Sequence, residues 1–491
     1  MEEVTNTSKL NTRRLGLLLG PGLYVLLMLA SPDAFSQEAW AVIRVAIWML
    51  VWWVSEAIPL GATSLLPILL FPLSGVMNID DACKPYGSKF IFLFMGGFIL
   101  ALAMEKWNVH RRIALSVVRL TGSSANRIIL GFMLSSWLLS MWISNTATTV
   151  MMLPIAASVI GLLVPQGEAM GKQQKRFALV MMLGIAYAAN VGGIATLVGT
   201  PPNAAMAGAL GEMHGIEIQF ADWMFLALPF SVVMLFVVYF VLVKVIYPNR
   251  LGSFPRASEL IQQEWEKLGS PTSEQRAVLI VFVMTAILWI FRSPIEQLLP
   301  APLQLTDSGI AMFTAILLFV LPSRNESATP LLEWEDTTRL PWGILLLFGG
   351  GLSLANGFKS SGLIEMIATQ FSSMGADDVF LLTVLLAFVA LFLTEVMSNL
   401  ALVNIFVPMV AALAIGGGES PLLFAVPVTI AASCAFMLPM STPPNAIVFA
   451  SGFIRIPQMV KAGIVLNLIA VVLVTLFCYL GLEQWISHYY H

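Results

Sequence analysis

The chain has 491 residues, of which 58% are hydrophobic and 11% are charged, and its net charge is -3 at pH 7. Soluble globular chains carry about 25% charged residues, so this composition excludes a soluble protein and indicates an integral membrane protein. The slightly acidic balance, without any basic tract, argues against a nucleic-acid partner.

The first apolar stretch follows a polar N-terminus that carries Lys9, Arg13 and Arg14. Basic residues before a membrane helix favour a cytoplasmic N-terminus. No small-residue cleavage site follows, so we interpret this stretch as a retained helix. Further apolar stretches follow through the rest of the chain, and several reach the ~20 residues that a helix needs to cross the hydrocarbon core. We therefore expect an all-α polytopic membrane protein.

Two pairs of polar motifs interrupt these apolar stretches. In chain order they are Ser144-Asn145-Thr146 with Gly199-Thr200-Pro201-Pro202-Asn203, and Ser398-Asn399-Leu400 with Ser441-Thr442-Pro443-Pro444-Asn445. Proline removes a backbone donor and asparagine brings amide groups that need partners, so each motif predicts a broken helix. Breaks repeated in two halves of a membrane chain indicate a ligand site between the halves.

The repetition extends beyond these motifs. Residues of the same type recur at a single offset of 254 residues, and they are Phe94 and Phe348, Gly96 and Gly350, Gly97 and Gly351, Ser144 and Ser398, Asn145 and Asn399, and Pro154 and Pro408. Five basic residues lie at 105–127, whereas the equivalent stretch 359–381 contains only Lys359. Because basic residues stay in the cytoplasm, these equivalent stretches predict inverted halves.

This reasoning divides the chain into four parts. They are a cytoplasmic N-terminus with the first helix (1–38), a first inverted repeat (39–247), a polar connector (248–276) and a second inverted repeat (277–491). The connector is rich in charged residues, and we expect it to be solvated on the cytoplasmic side. The three cysteines are far apart without metal-ligand spacing, so we expect free thiols.

Glycine clusters lie in one apolar segment of each half, at Gly96-Gly97 and at Gly349-Gly350-Gly351. Glycine lets a chain turn sharply without a Cβ clash, so each cluster could form the tip of a re-entrant hairpin. Alternatively, each cluster could let an unbroken helix approach a neighbour closely. The sequence leaves both structures open.

The first helix break has the chemistry of an ion site. Helical spacing brings Ser140 and Ser144 to one face, and unwinding near Asn145 would free carbonyls on one side and amides on the other. Carbonyl, hydroxyl and amide oxygens suit a desolvated Na+, whereas free amides at a helix start suit a carboxylate. The second half repeats the arrangement with Thr394, Ser398 and Asn399.

The second pair of breaks adds to this chemistry. Gly199 and Ser441 directly precede Thr-Pro-Pro-Asn and could supply carbonyls, because proline cannot use those bonds. No Lys or Arg lies in either motif, so helix ends and bound cations would have to balance an anionic substrate. Glu395 and Glu56 are acidic residues in apolar segments, and each either anchors a helix end or takes part in ion movement.

These motifs resemble those of the divalent anion/sodium symporter family, which transports citric-acid-cycle dicarboxylates and sulfate. The resemblance covers nearly the whole chain after about residue 40. It implies about eleven transmembrane helices with two re-entrant hairpins. It also implies a homodimer in the cytoplasmic (inner) membrane, whose transport domain moves against a scaffold domain like an elevator.

The resemblance also implies two sodium sites and one substrate site. The first sodium site consists of Ser140, Ser144, Asn145 and Gly199. The second consists of Thr394, Met397, Asn399 and Ser441. The substrate site consists of Asn145, Thr146, Thr200, Pro201, Asn399, Thr442 and Pro443.

The residue Leu400 departs from the family pattern, which often reads Ser-Asn-Thr at this motif. The departure removes one hydroxyl donor from the expected carboxylate pocket. A lost hydrogen bond to a charged group is worth about 1.5–3 kcal/mol. Either the substrate differs from a simple C4-dicarboxylate or another donor compensates.

The sequence thus predicts Na+-coupled uptake of a C4-dicarboxylate such as succinate, fumarate or malate, with Na+ as coupling ion and no cofactor. The alternative is a sulfate or tricarboxylate carrier, or a dicarboxylate exchanger, on the same fold. With no Gly-x-Ser-x-Gly or His-Glu-x-x-His motif and only four histidines, we do not expect an enzyme.

Overall fold

The computed structural model describes residues 2–30, 35–162, 170–252, 255–300, 302–324, 329–373 and 378–489. Within these ranges the chain forms α-helices, numbered here α1 to α23, and no β-strand. The helices before the connector are α1 (Glu2–Met28), α2 (Gln37–Ser55), α3 (Leu60–Thr63), α4 (Leu66–Leu73), α5 (Ile79–Cys83), α6 (Lys89–Lys106), α7 (Val109–Leu120), α8 (Ala125–Ser140), α9 (Asn145–Gly161), α10 (Lys172–Ile194), α11 (Pro201–His214) and α12 (Phe220–Phe240).

The connector contributes one helix, and the second half contributes the rest. These helices are α13 (Pro255–Lys267), α14 (Ser273–Ile290), α15 (Arg292–Leu298), α16 (Asp307–Val320), α17 (Trp342–Ser360), α18 (Leu363–Ser373), α19 (Val379–Thr394), α20 (Asn399–Gly416), α21 (Leu422–Ala432), α22 (Pro443–Ala450) and α23 (Ile456–Tyr489). Short 3-10 turns precede α6 and α17, and a π-helix (Val241–Ile246) extends α12.

Among the described residues, seven helices are long and apolar enough to cross a membrane, and shorter apolar helices accompany them. The prediction of an all-α polytopic membrane protein is therefore confirmed. The expected number of about eleven crossings stays a prediction, because α9, α16, α19 and α21 are each too short to span alone.

The predicted helix breaks are present in both halves at the same offset of 254 residues. Helix α8 ends at Ser140 and α9 begins at Asn145, and likewise α19 ends at Thr394 and α20 begins at Asn399. A second break separates α10 from α11, and its counterpart separates α21 from α22. Two prolines occupy the first turn of both α11 and α22, a position where their missing amides cost no helical bond.

Two ion pairs and a hydrogen bond show that the equivalent helices α6 and α17 run in opposite directions. Lys106 at the end of α6 pairs at 2.6 Å with Asp336, which lies just before α17 begins. Lys89 at the start of α6 and Lys359 at the end of α17 both contact residues of the segment 212–217. Antiparallel equivalent helices are what an inversion of the two halves requires, and the inversion itself stays a prediction from the charge pattern.

The glycine clusters lie inside continuous helices, so of the two structures that the sequence left open, the close approach to a neighbour is the one observed. A Cβ at Gly96 would lie 2.6 Å from a backbone oxygen of α16, and one at Gly350 would lie even closer to the backbone that follows α3. The pairs α6–α7 and α17–α18 turn instead at Asn108 and Gly362, which have φ values of 56° and 71°. These two residues are themselves 254 positions apart.

The connector is not an open loop, because α13 packs against α7. Arg111 of α7 pairs with Glu264 at 2.7 Å, and the Arg119 guanidinium lies 4.7 Å from the ring centre of Trp265. A hydrogen bond from Lys267 and the nearby Arg111 charge lower the pKa of Glu264. The connector therefore lies at the same end of the molecule as the basic helix α7.

Candidate ion and substrate site

The first break gathers three of the four residues that the resemblance assigns to the first sodium site. Ser140 Oγ donates to Asn145 Oδ1 at 2.5 Å. A Cβ at Gly193 would lie 2.6 Å from Asn145 Oδ1 and 3.1 Å from the Gly199 carbonyl oxygen, so these oxygens lie around one point. Ser144 caps α9 by accepting a first-turn amide at 3.2 Å. Neutral hydroxyl, amide and carbonyl oxygens at a broken helix suit Na+.

The second break repeats this arrangement with one additional oxygen. Thr394 Oγ1 lies 2.6 Å from Asn399 Oδ1 and 2.9 Å from the Ala432 carbonyl oxygen. One hydroxyl proton can satisfy only one of these two acceptors at a time, so the cluster has a surplus of lone pairs, as a cation site requires. Met397 is half-buried in the same break. The Ala432 carbonyl is a candidate ligand that sequence reasoning missed.

Asparagine side chains shape the two unwound segments before α11 and α22. Asn203 Nδ2 donates to the carbonyl oxygens of Gly193 and Thr196 at 3.1 and 2.7 Å. Asn445 Nδ2 donates in the same way to two carbonyls of its own segment, both at 3.2 Å, and to Ser441 Oγ at 3.0 Å. Each Pro-Pro-Asn sequence therefore starts a helix and satisfies the carbonyls released by the break before it.

Helix packing brings each Ser-Asn motif to the Thr-Pro-Pro-Asn helix of the other half. Helix α9 contacts α22, and α11 contacts α20. Of the residues assigned to the substrate, Thr200 and Thr442 are each 5% exposed, whereas Thr146 and Pro443 are exposed. The others are half-buried, and they are Asn145, Pro201 and Asn399.

The departure at Leu400 is accommodated by burial. Its side chain is 5% exposed and belongs to the apolar core, whereas Thr146, its counterpart in the first half, is exposed. No side-chain hydrogen bond joins Thr146 to the other predicted site residues in the ranges described above. The two halves are therefore not equivalent at this position.

A buried carboxylate holds the unwound segment between α21 and α22. Glu395 is 2% exposed, and its donors are the backbone amides of Phe436 at 2.8 Å, Met437 at 2.9 Å and Leu438 at 3.0 Å, with Asn467 Nδ2 at 2.7 Å. Its first-half equivalent is Met141, whose carbonyl instead accepts a hydroxyl from Thr196. Glu56 is exposed at the C-terminal end of α2. Of the two acidic residues, Glu395 therefore contacts the candidate site.

Sequence reasoning also missed Asn190, which lies near the C-terminal end of α10. Its side chain is 2% exposed, and Nδ2 donates to Thr442 Oγ1 at 3.1 Å. The available signal was a single asparagine in an otherwise apolar stretch, since an unpaired buried amide is costly.

Comparison with known proteins assigns the family. The family described as the sodium:sulfate symporter transmembrane region matches residues 12–486. This chain belongs to the sodium:sulfate symporter family. The resemblance inferred from the broken-helix motifs, to the divalent anion/sodium symporters, is thereby confirmed.

Relatives of this symporter family member include proteins named sodium-dependent dicarboxylate transporter SdcS. The SdcS of Staphylococcus saprophyticus is 40% identical over 468 residues, which cover 94% of this chain and 90% of that protein. The SdcS of Staphylococcus aureus is also 40% identical over 469 residues, which cover 95% of this chain and 90% of that protein.

Two solved membrane proteins share the fold. MtrF of Neisseria gonorrhoeae, described as illuminating a class of antimetabolite efflux pumps, matches with a TM-score of 0.57 at 14% identity over 95% of this chain and 97% of its own. The YdaH transporter of Alcanivorax borkumensis matches with a TM-score of 0.55 at 16% identity, over 93% of this chain and 99% of its own. At these identities the likeness concerns the fold alone.

Proposed function

We propose that this member of the sodium:sulfate symporter family is a Na+-coupled transporter of C4-dicarboxylates such as succinate, fumarate and malate. The observation that carries the proposal is the pair of oxygen clusters at the two breaks, where Ser140 meets Asn145 and Thr394 meets Asn399. The names of the 40% identical SdcS proteins support both the ion and the substrate class.

The proposed sodium ligands are the oxygen-bearing groups at these breaks. For the first ion they are Ser140, Ser144, Asn145 and Gly199. For the second ion they are Thr394, Met397, Asn399 and Ser441, with the Ala432 carbonyl added. Because these groups are neutral oxygen ligands, each bound Na+ would add an uncompensated positive charge to the site.

The proposed substrate ligands lie at the starts of the half-helices. They are Asn145, Thr146, Thr200, Pro201, Asn399, Thr442 and Pro443. Helix N-termini stabilise anions through their free amides, but no Lys or Arg lies within the motifs. The dianion would therefore bind strongly only after the cations, and this dependence couples substrate to Na+.

We also propose the finer features that the family resemblance implies. They are a homodimer in the cytoplasmic membrane, a cytoplasmic N-terminus, and an elevator movement of the domain that carries the breaks. The alternative substrate is sulfate or a tricarboxylate, or the protein is an exchanger. The buried Leu400, which lacks a hydroxyl donor, is the observation that favours this alternative.

Purified protein in liposomes tests the function. We expect labelled succinate to accumulate only with an inward Na+ gradient, and uptake that persists unchanged with K+ in place of Na+ would contradict coupling. Excess unlabelled sulfate or citrate should compete poorly, whereas strong competition by either would favour the alternative substrates.

Substitutions at the breaks test the site. Asn145→Ala and Asn399→Ala should each reduce succinate uptake at least ~100-fold, because each removes a cation ligand and a substrate donor together. The matched control is Asn356→Ala, since its amide contacts only a methionine sulfur within the described structure. Wild-type uptake by either break variant would count against the site.

A further inference from the structure

One hydroxyl of the proposed substrate site, that of Thr442, has a proton that no described residue accepts. Thr442 Oγ1 accepts Asn190 Nδ2 at 3.1 Å and the backbone amide of Asn445 at 3.3 Å. A hydroxyl has two lone pairs and one hydrogen to donate. Both lone pairs are occupied, and none of the described residues accepts the proton. The Thr442 hydroxyl can therefore only donate a hydrogen bond to a ligand. The ligand group that it contacts must be an acceptor, such as a carboxylate oxygen.

The neighbouring hydroxyls are arranged differently. Ser441 Oγ donates its proton to a backbone carbonyl at 2.7 Å, so it can offer a ligand only a lone pair and suits a cation. Thr200, the counterpart of Thr442, does not cap its helix by a side-chain hydrogen bond among the described residues. Ala432 stands 242 positions after Asn190, and alanine has no amide to orient a hydroxyl. The oriented donor therefore belongs to one half only.

The orientation of Asn190 is fixed by its surroundings. Its Nδ2 also faces Asn445 Oδ1 at 3.4 Å and the Ala435 carbonyl at 3.5 Å. The Asn445 amide is itself fixed, because its Nδ2 donates to carbonyl oxygens. Rotating the Asn190 amide would set its oxygen against two other oxygens. The NH2 group therefore faces Thr442, and the donor is assigned by the network.

We propose that Asn190 is a positioning residue that sets substrate specificity by holding the Thr442 hydroxyl as a donor to a substrate carboxylate. The inference rests on the proposed function. It supplies the compensating donor that the second Ser-Asn motif lacks, because Leu400 stands where the first half has the hydroxyl of Thr146. The site then favours anions with an acceptor oxygen at this point over analogues with an amide donor or a methyl group there.

A double-mutant cycle on the full-length protein tests this role. Asn190→Ala and Thr442→Val should each raise the succinate KM about 10-fold, with a smaller change in kcat, because a hydrogen bond to a charged group is lost or left unaligned. The double variant should have the KM of Thr442→Val alone. In a Thr442→Ser background, which keeps the hydroxyl, Asn190→Ala should again raise KM about 10-fold.

Further readouts separate positioning from a structural role. The Na+ concentration for half-maximal stabilisation in a thermal-shift assay without substrate should stay within about 2-fold of wild type in both single variants, because neither residue is a proposed cation ligand. Asn190→Asp keeps the side-chain shape and replaces the donor by an acceptor, so the succinate KM should rise more than 10-fold even where Asn190→Ala does not fold. An unchanged KM in Asn190→Asp would overturn the inference.

The outcomes also separate this inference from the proposed function. If the two substitutions acted additively, the succinate KM of the double variant would be about 100-fold above that of the wild type. That result would overturn the role of Asn190 while leaving Na+-coupled dicarboxylate transport intact. A wild-type protein that neither binds nor transports succinate in Na+ would overturn the proposed function and this inference with it.

Discussion

At each helix break, one hydroxyl fixes the orientation of one asparagine. Ser140 Oγ lies 2.5 Å from Asn145 Oδ1 and Thr394 Oγ1 lies 2.6 Å from Asn399 Oδ1, in both cases across five positions of chain. Because the amide oxygen is turned toward the hydroxyl, each asparagine offers oxygen to the cluster and keeps its NH2 group for a different partner. In the proposed site, each asparagine would therefore serve a cation through its oxygen and an anion through its NH2 group.

The buried carboxylate Glu395 gives a testable prediction at the scale of single residues. Glu395→Gln should destabilise the folded protein by about 2–3 kcal/mol, because one oxygen that accepts backbone amides becomes a donor and charge-assisted bonds are lost. It should also raise the Na+ concentration for half-maximal uptake, since the segment it holds carries Ser441. Thermal unfolding and Na+ titration of uptake measure the two effects. The exposed Glu56→Gln is the control, and equal behaviour of the two variants would contradict the prediction.

At the scale of elements, glycine decides how closely helices approach. Helix α17 crosses the segment after α3 at Gly350, and α6 crosses α16 at Gly96, in each case with backbone against backbone. Such close contacts increase the dispersion attraction between the helices. In lipid, this packing replaces the hydrophobic effect as the force that holds helices together. The hairpin turns lie elsewhere, at Asn108 and Gly362, where the backbone is left-handed.

Gly350→Ala should therefore destabilise the protein by about 1–3 kcal/mol, because the added methyl group would meet the backbone and the Cβ of Ser64, and neither is the end of a flexible side chain that could move away. Gly481→Ala in α23 is the matched control. A Cβ there meets no described atom within 4 Å, so the change should be neutral or stabilising by up to ~1 kcal/mol. Thermal unfolding in detergent measures both variants, and a Gly350→Ala protein as stable as the control would contradict the close approach.

At the scale of the whole molecule, the two halves contact each other through equivalent residues. The rings of Phe94 and Phe348, which are 254 positions apart, lie 4.9 Å from each other. The crossed packing of α9 with α22 and of α11 with α20 then places motifs from both halves together. Since neither half contains both partners of these contacts, the candidate site depends on how the two halves pack together.

Inversion predicts opposite accessibility for two engineered cysteines in intact, correctly oriented cells. Gln263→Cys in the connector helix and Ser360→Cys at the end of α17 are exposed positions at opposite ends of the molecule. In a Cys83→Ser background, a membrane-impermeant thiol reagent should label only the Ser360→Cys protein from outside, because the basic connector side stays in the cytoplasm. Cys434 and Cys478 are buried and serve as the unlabelled baseline. Labelling of both introduced cysteines from the same side would contradict the inverted topology.

Amino-acid sequence alone determined the membrane class and the positions of the breaks, and it predicts the inversion of the two halves. Each of these follows from local chemistry: apolar runs must be helical in lipid, Pro and Asn interrupt them, and basic residues stay on one side. The breaks at Ser140–Asn145 and Thr394–Asn399 needed no knowledge of distant contacts.

Tertiary structure alone decided which partners complete the site. Asn190 reaches Thr442 across 252 positions, and the Ala432 carbonyl reaches Thr394 across 38. It also decided that the glycine clusters in α6 and α17 serve packing, not turning, since a glycine in sequence is compatible with either. A sequence pattern indicates how a residue affects the helix that contains it. Hydrogen bonds between helices depend instead on how the two halves are packed together.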